Sequence, residues 1–270
     1  AASQKYLRIR YSIILYMYTL FYQASTNGST VWRHMMFEFP QDVKTLTLDQ
    51  QFLLGDAILV TPALNEGQTQ VTAYFPDAIF YDFETYELVS DKAQDVTVDA
   101  PLTEMPMFIR GGYALVMQDA STALCMNDLI SQPLNLVFAL DSNGEASYSY
   151  YFDDGISLNS LEDNLNATLD ISYSNDVVKS TMTINNPDFV ISKFNGFGDV
   201  TLIGYTDAVK SAVLTAGGKT YNLTSANIKT TSNSVTFTGL PADAIMSGNF
   251  TLNINQSDSN VDLGQEFLPQ

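Results

Sequence analysis

The sequence predicts a mainly β protein: one long helix at the start, then two β-sandwich units. Three observations lead there. One residue in eight is aromatic, almost all Tyr and Phe, which favour pleated, half-buried surfaces. After Asn27-Gly28 the chain breaks into short apolar runs, punctuated by turn residues about every 8–12 positions. The only long uninterrupted helical pattern lies before that point.

Residues 6–24 read YLRIRYSIILYMYTLFYQA. Arg8, Ser12, Thr19 and Gln23 fall on one narrow polar strip. Leu7, Tyr11, Ile14, Tyr18 and Phe21 form one apolar stripe, and Ile13, Met17, Leu20 and Ala24 form another. A helix apolar over most of its circumference needs cover on several sides. Its large side chains are worth roughly 1.5–3 kcal/mol each on burial. No second convincing helix follows to supply that cover, so partner surface upstream of Ala1 is expected. The apolar run of about 12 residues is too short for the roughly 20 that span a bilayer. No Gly or Pro interrupts the segment, and Gly28 is placed to end it.

The strands follow. Phe52-Leu53-Leu54 and Ala57–Val60 flank Gly55-Asp56, and Val71, Ala73 and Phe75 alternate with Thr72 and Tyr74. Phe80–Phe83, Val96–Val98, Met107–Ile109 and Ala114–Val116 come next, between Pro62, Pro76, Pro101, Pro106 and Gly111-Gly112. Residues 119–133 form a connector ending in Gln132-Pro133. A second β series then alternates apolar and polar positions, as at Tyr148, Tyr150 and Phe152, at Leu169, Ile171 and Tyr173, and at Phe250, Leu252 and Ile254. That alternation is the pattern of antiparallel sheets with one covered face. The tail from Ser257, through Asp258, Asp262, Gly264 and Pro269, is expected to be loose. The resulting divisions are 1–29, 30–118, 119–256 and 257–270.

Hydrophobic residues make up 46% of the chain and charged residues 16%, the balance of a globular protein. The net charge of -18 disfavours nucleic acid and anionic membrane surfaces as partners. The single cysteine, Cys125, permits no intrachain disulfide and reads as an inert small residue. With the single histidine, His34, it makes too poor a ligand set for a transition metal. Asn-X-Ser/Thr stands at Asn27, Asn166, Asn222, Asn249 and Asn255, which points to a secretory route, lysosomal or extracellular. No leader peptide is visible at Ala1-Ala2-Ser3-Gln4-Lys5.

The segment Arg10–Gln118 resembles glycoside hydrolase family 31, the α-glucosidase or maltase-like enzymes. The residues that carry the likeness are Arg10-Tyr11, Tyr18-Thr19-Leu20-Phe21, Phe37-Glu38-Phe39-Pro40, Asp49–Asp56 running on to Val60 and Pro62, Tyr74-Phe75-Pro76, Tyr81-Asp82, Ala100-Pro101-Leu102 and Ile109-Arg110-Gly111-Gly112. Tyr151-Phe152-Asp153-Asp154-Gly155 resembles a segment of the family's second C-terminal β domain. The departures bear on subfamily and substrate: Leu15 and His34 stand where the family usually has Pro, and Phe80 where it has Trp.

This resemblance implies that Gln4 to Ala24 is the last helix of a (β/α)8 catalytic barrel. A proximal β-sandwich near 30–118 and a distal one near 119–256 would follow. The parent would hydrolyse terminal α-glucosidic bonds with retention, using two carboxylates about 5–5.5 Å apart. The family's nucleophile motif is of the Trp-X-Asp-Met-Asn type. Here the only tryptophan, Trp32, is followed by Arg33-His34, so no catalytic residue is expected in this chain. No cofactor and no metal ligand are expected either. The expected partners are an upstream barrel and, for the intact enzyme, an α-glucoside. The alternatives are a free-standing carbohydrate-binding β module and an inactive structural homologue.

Several groups could carry chemistry or merely structure. Asp153-Asp154-Gly155 and the run 159–166, with Glu162 and Asp163, could bind a cation, but lack the alternating oxygen ligands of a calcium loop and read as an acidic turn and a solvated loop. Asp49 and Asp56, seven apart around an apolar strand, could form a catalytic pair, but read as turn and strand-end carboxylates accepting backbone N–H groups. Glu38, set between Phe37 and Phe39, is expected opposite them with Arg33 or Arg110 as its partner. His34 reads as a surface or packed ring. Trp32, Tyr74, Phe80 and Tyr81 could stack on sugar, and core packing is their default.

Overall fold

A computed structural model describes residues 2–130, 132–186, 189, 194–241, 244, 246 and 248–256. The expected loose tail at 257–270 lies outside the described residues. The strands predicted from alternation are present, and the chain is mainly β.

The first departure is in the helix. The pattern predicts one element, and the structure has two, α1 (Ala2–Ser12) and α2 (Ile14–Asn27). The joint is Ile13, at φ -102 and ψ 16. Its cause is tertiary. The amide of Gln118 donates to the Ser12 carbonyl at 3.0 Å, an acceptor that a regular helix would reserve for its own next turn. The Ser12 hydroxyl also donates back to Ile9 O at 2.7 Å, a local bond of the kind that bends helices. Gly28 ends α2 as expected, in the left-handed region at φ 76, with its N–H on Ala24 O.

The first β unit has two layers. One is a six-stranded antiparallel sheet in the order Trp32–Arg33, Phe52–Leu54, Ile58–Val60, Met107–Arg110, Phe80–Asp82, Leu88–Ser90. The other is the hairpin of Gln70–Phe75 and Gln94–Asp99. Met35, Leu53, Leu59, Ala73, Phe75, Phe80 and Phe108 fill the space between them. Phe75 meets Phe80 and Phe108 edge-on, with ring centroids 5.3 and 5.0 Å away.

The second unit is an eleven-stranded sheet folded over on itself, running from Lys219–Leu223 at one edge to Ile228–Thr230 at the other. Phe197 and Phe250 stand far apart in its strand order, yet their ring centroids lie 5.1 Å apart. The two halves therefore face each other across one core, as in a sandwich. Gly111 separates Met107–Arg110, in the first sheet, from Gly112–Met117, which belongs to the larger one.

The alternating strands pair antiparallel as expected, and two parallel pairings stand beside them. Leu134–Ala139 pairs in parallel with Phe197–Ile203, and Ala146 and Ser147 pair in parallel with Gly112 and Tyr113. The strands in the middle of the sheet also abandon alternation. Leu134–Ala139 is buried at five of its six positions, because the opposite layer covers one side and other elements cover the rest. The 119–133 connector contains the short helix Met126–Ile130, held by buried Leu129. Cys125 beside it is exposed, so it is not packed as a small apolar residue.

Phe197 closes the folded sheet with edge-on contacts to Phe194 and Phe250 and has no solvent exposure. Phe197→Ala is expected to cost about 3–5 kcal/mol in chemical unfolding. Ile156→Ala, at a side chain 84% exposed, should change stability by no more than about 0.5 kcal/mol.

Candidate functional site: the seat of the N-terminal helices

The helix pair presents two unlike faces. Ile13, Tyr16, Met17, Thr19 and Leu20 are buried against this chain's own strands. Leu7, Tyr18 and Phe21 are 53%, 41% and 52% exposed. So one predicted apolar stripe finds its cover within the chain, and the other, half-buried at Tyr11 and Ile14, is left open at Leu7, Tyr18 and Phe21. The polar strip is also reassigned. Thr19 is buried, donates to Leu15 O at 3.0 Å, and accepts the amide of Tyr151 at 3.2 Å. Thr19 thus attaches α2 to the distal sheet. Tyr22 stacks on Tyr151 at 3.9 Å, and Tyr18 donates to Asp153 at 2.7 Å.

At the centre of the buried face is a junction of three segments. Tyr16 of α2 is fully buried. Its hydroxyl lies 2.8 Å from Leu54 O and 3.2 Å from Asp56 Oδ1, and accepts the amide of Ala57 at 3.1 Å. Tyr148, on Ala146–Asp153 of the larger sheet, donates to the same Asp56 oxygen at 3.0 Å. Burial, first of all, lifts the Asp56 carboxyl above its ordinary value, while the Tyr148 hydrogen bond and the charge of Arg33 pull the other way. Burial likewise raises both tyrosine hydroxyls, so they stay protonated as donors. Gly55, at φ 63, makes the approach possible, because a Cβ there would run into the Tyr16 hydroxyl and Leu20.

Beside this junction Glu38 lies between two guanidinium groups, Arg33 at 2.6 Å and Arg110 at 3.2 Å. The expected partners are the observed ones. Their geometry differs, since Glu38 stands on a short helix, Met35–Glu38, rather than a strand. His34 caps that helix, its Nδ1 accepting the amide of Met36 at 3.3 Å. Arg110 also lies over the Phe39 ring at 4.3 Å.

The remaining candidates are distributed, not gathered. Asp49 lines a separate groove with Gln50, Pro62 and Gln68. Asp56 takes a backbone N–H, its own, and two tyrosine hydroxyls besides. Asp153 and Asp154 form the acidic turn, accepting the amides of Gly155, Ile156 and Ser157. Glu162 and Asp163 stand exposed in the loop that follows. Among the described residues no three His, Cys, Asp or Glu side chains form a group suited to a metal ion. Nor is any helix there long and apolar enough to cross a membrane.

Tyr74, Phe80 and Tyr81 are core residues, as expected. Trp32 is not: it is 61% exposed. With Tyr6, Ile9, Met17, Phe21 and Met105 it lines an apolar groove of about 380 Å³ between the helices and the first sheet. The groove continues the uncovered stripe. Neither the Tyr16–Asp56–Tyr148 junction nor this groove is visible in the sequence, since each joins residues remote along the chain. The one available signal was Tyr16, a polar-tipped residue lying outside both apolar stripes.

Residues 28–115 match the glycosyl hydrolase family 31 C-terminal domain. Among curated proteins, a human probable maltase-glucoamylase 2 is 36% identical over 203 residues, which is 75% of this chain and 8% of that protein. Rat lysosomal alpha-glucosidase is 34% identical over 244 residues, 83% of this chain and 25% of that protein. The crystal structure of a glucosidase II alpha subunit superposes with a TM-score of 0.82 over 92% of this chain and 28% of its own, at 22% identity. The chain thus spans a quarter or less of the length of these curated relatives.

Two variants test the junction. Gly55→Ala should destabilise by about 2–4 kcal/mol in urea unfolding, from the positive φ and the contact with Tyr16 together. Asp56→Asn keeps an acceptor oxygen and removes the buried charge. A carboxyl whose folded pKa is raised binds its proton more tightly folded than unfolded. Its contribution to stability therefore falls as pH rises from its ordinary value of 3.8 through the raised one. Asp56→Asn should flatten that part of the curve of melting temperature against pH, and an unchanged slope would remove Asp56 as its source. In sequence, in fold and in the match over 28–115, this chain belongs to glycoside hydrolase family 31 and corresponds to that family's C-terminal β region.

Proposed function

We propose that this chain is the non-catalytic β portion of a retaining α-glucosidase-like hydrolase. It buttresses a (β/α)8 barrel that carries both catalytic aspartates, and the parent hydrolyses terminal α-glucosidic bonds. The half-covered helix pair carries this reading. Its inner face is locked to the two β units, while Leu7 is exposed and Phe21 and Trp32 lie open along an apolar groove. Apolar surface of that kind is an interaction surface. The short coverage of the relatives supports a barrel as the body that meets it.

The polar side chains of the site support a structural role. Glu38 is neutralised by two arginines, and Asp56 is held under two hydroxyls. The proximal unit at 30–118 and the distal unit at 119–256 then form one buttress, with Gly112–Met117 passing from the first into the sheet of the second. A secretory route, lysosomal or extracellular, fits the rat relative's name and the five Asn-X-Ser/Thr sites.

The 270-residue chain is expected to show no turnover of maltose and to self-associate, with light scattering reduced when Phe21 and Trp32 are both changed to Ser. In the parent enzyme, Phe21→Ala or Trp32→Ala should each lower stability by about 1.5–3 kcal/mol, because both side chains are then buried. Unchanged parent stability would sink the docking role. Affinity of the isolated chain for malto-oligosaccharides in calorimetric titration would favour a carbohydrate-binding module instead.

A further inference from the structure

The five Asn-X-Ser/Thr tripeptides are equivalent as sequence and unequal as structure. Asn166 is buried, and its Nδ2, the atom that would carry a sugar, donates to Ser160 O at 2.9 Å. Asn27 closes the turn after α2, accepting from the amide and hydroxyl of Ser29 at 3.0 and 2.6 Å, on the element assigned above to docking. Asn249 accepts the amide of Met182 at 2.7 Å. Asn255 donates from its Nδ2 to Ser211 Oγ at 3.1 Å.

Asn27, Asn249 and Asn255 are exposed, like Asn222, but Asn222 differs from all four in standing on a strand at the sheet edge. It is exposed on Lys219–Leu223, the strand at one open edge of the eleven-stranded sheet. Its neighbour Leu223 points into the core at 3% exposure, so pleating turns Asn222 outward. Thr224, the third residue of its tripeptide, is exposed as well.

We infer that Asn222 carries an N-linked glycan that shields this sheet edge, and that Asn166 stays unmodified. In the transfer, Asn222 Nδ2 attacks C1 of an oligosaccharide activated as a polyprenyl diphosphate. The N–C bond forms, the glycosyl–phosphate bond breaks, and the amide proton leaves with the diphosphate. No oxidation or reduction is involved. The physical gain lies at the edge itself. An edge strand offers a row of unpaired N–H and C=O groups to other chains, and a bulky hydrated substituent keeps them away. The inference rests on the secretory reading given above.

The test is peptide mapping of the full-length parent after enzymatic glycan release, which converts an occupied Asn to Asp. With the parent directed through the endoplasmic reticulum of a eukaryotic host, Asn222 should be converted and Asn166 should not. Asn222→Gln should remove one glycan and increase concentration-dependent aggregation, while Asn166→Gln should leave the glycan number unchanged. Asn222 bare in a parent glycosylated elsewhere overturns the site alone. All five sites bare in the parent from its own source overturns the secretory route and, with it, the inference.

Discussion

A carboxylate with little access to water must be solvated by the protein, and at Asp56 the protein does so with groups from two distant segments. Tyr16 reaches it from α2 and Tyr148 from the distal sheet, each at hydrogen-bond distance. The Asp56 backbone belongs to the hairpin turn of the first β unit, between Phe52–Leu54 and Ile58–Val60. Three bodies with little sequence proximity are therefore held in one relation by a single half-buried acid. Rigid relation of this kind suits the proposed role of a buttress, which fixes a surface rather than moving.

The surroundings of that acid follow from the same demand. Tyr16 can approach only because position 55 has no side chain. Arg33 comes near enough to moderate the buried charge but spends its own on Glu38, which Arg110 also holds. The cluster thus balances its charges locally, two carboxyls against two guanidinium groups.

Much of the fold was legible because strands declare themselves locally. Alternation at Val71 to Phe75 or at Leu169 to Tyr173 is a property of the strand alone, and it was read correctly. What failed was whatever depended on a distant neighbour. The bend at Ile13 is set by an amide at Gln118, more than a hundred residues on, so the absence of Gly and Pro misled. The polar strip through Thr19 did not declare its partner, because polarity does not distinguish water from the amide of Tyr151. The parallel pairing of Leu134–Ala139 with Phe197–Ile203 leaves no local mark, since buried central strands read as apolar runs in any direction. Glu38 was the exception, since an acid flanked by phenylalanines must find a cation, and Arg33 and Arg110 were the available ones.

The two apolar stripes of the helices are alike in composition, and only their surroundings separate them. Ile13, Met17 and Leu20 are buried in this chain's own core, whereas Leu7, Tyr18 and Phe21 stay exposed. Hydrophobicity is non-directional, so the sequence could announce that both stripes want cover without saying which body covers which. Directional bonds make that choice. Tyr16, Thr19 and Tyr18 each hydrogen-bond to a fixed point on the β units, and together they set the rotation of α2. Once that rotation is set, Phe21 and Trp32 are left on the same open side of the groove. The polar contacts on one face thereby decide which apolar side chains are offered on the other.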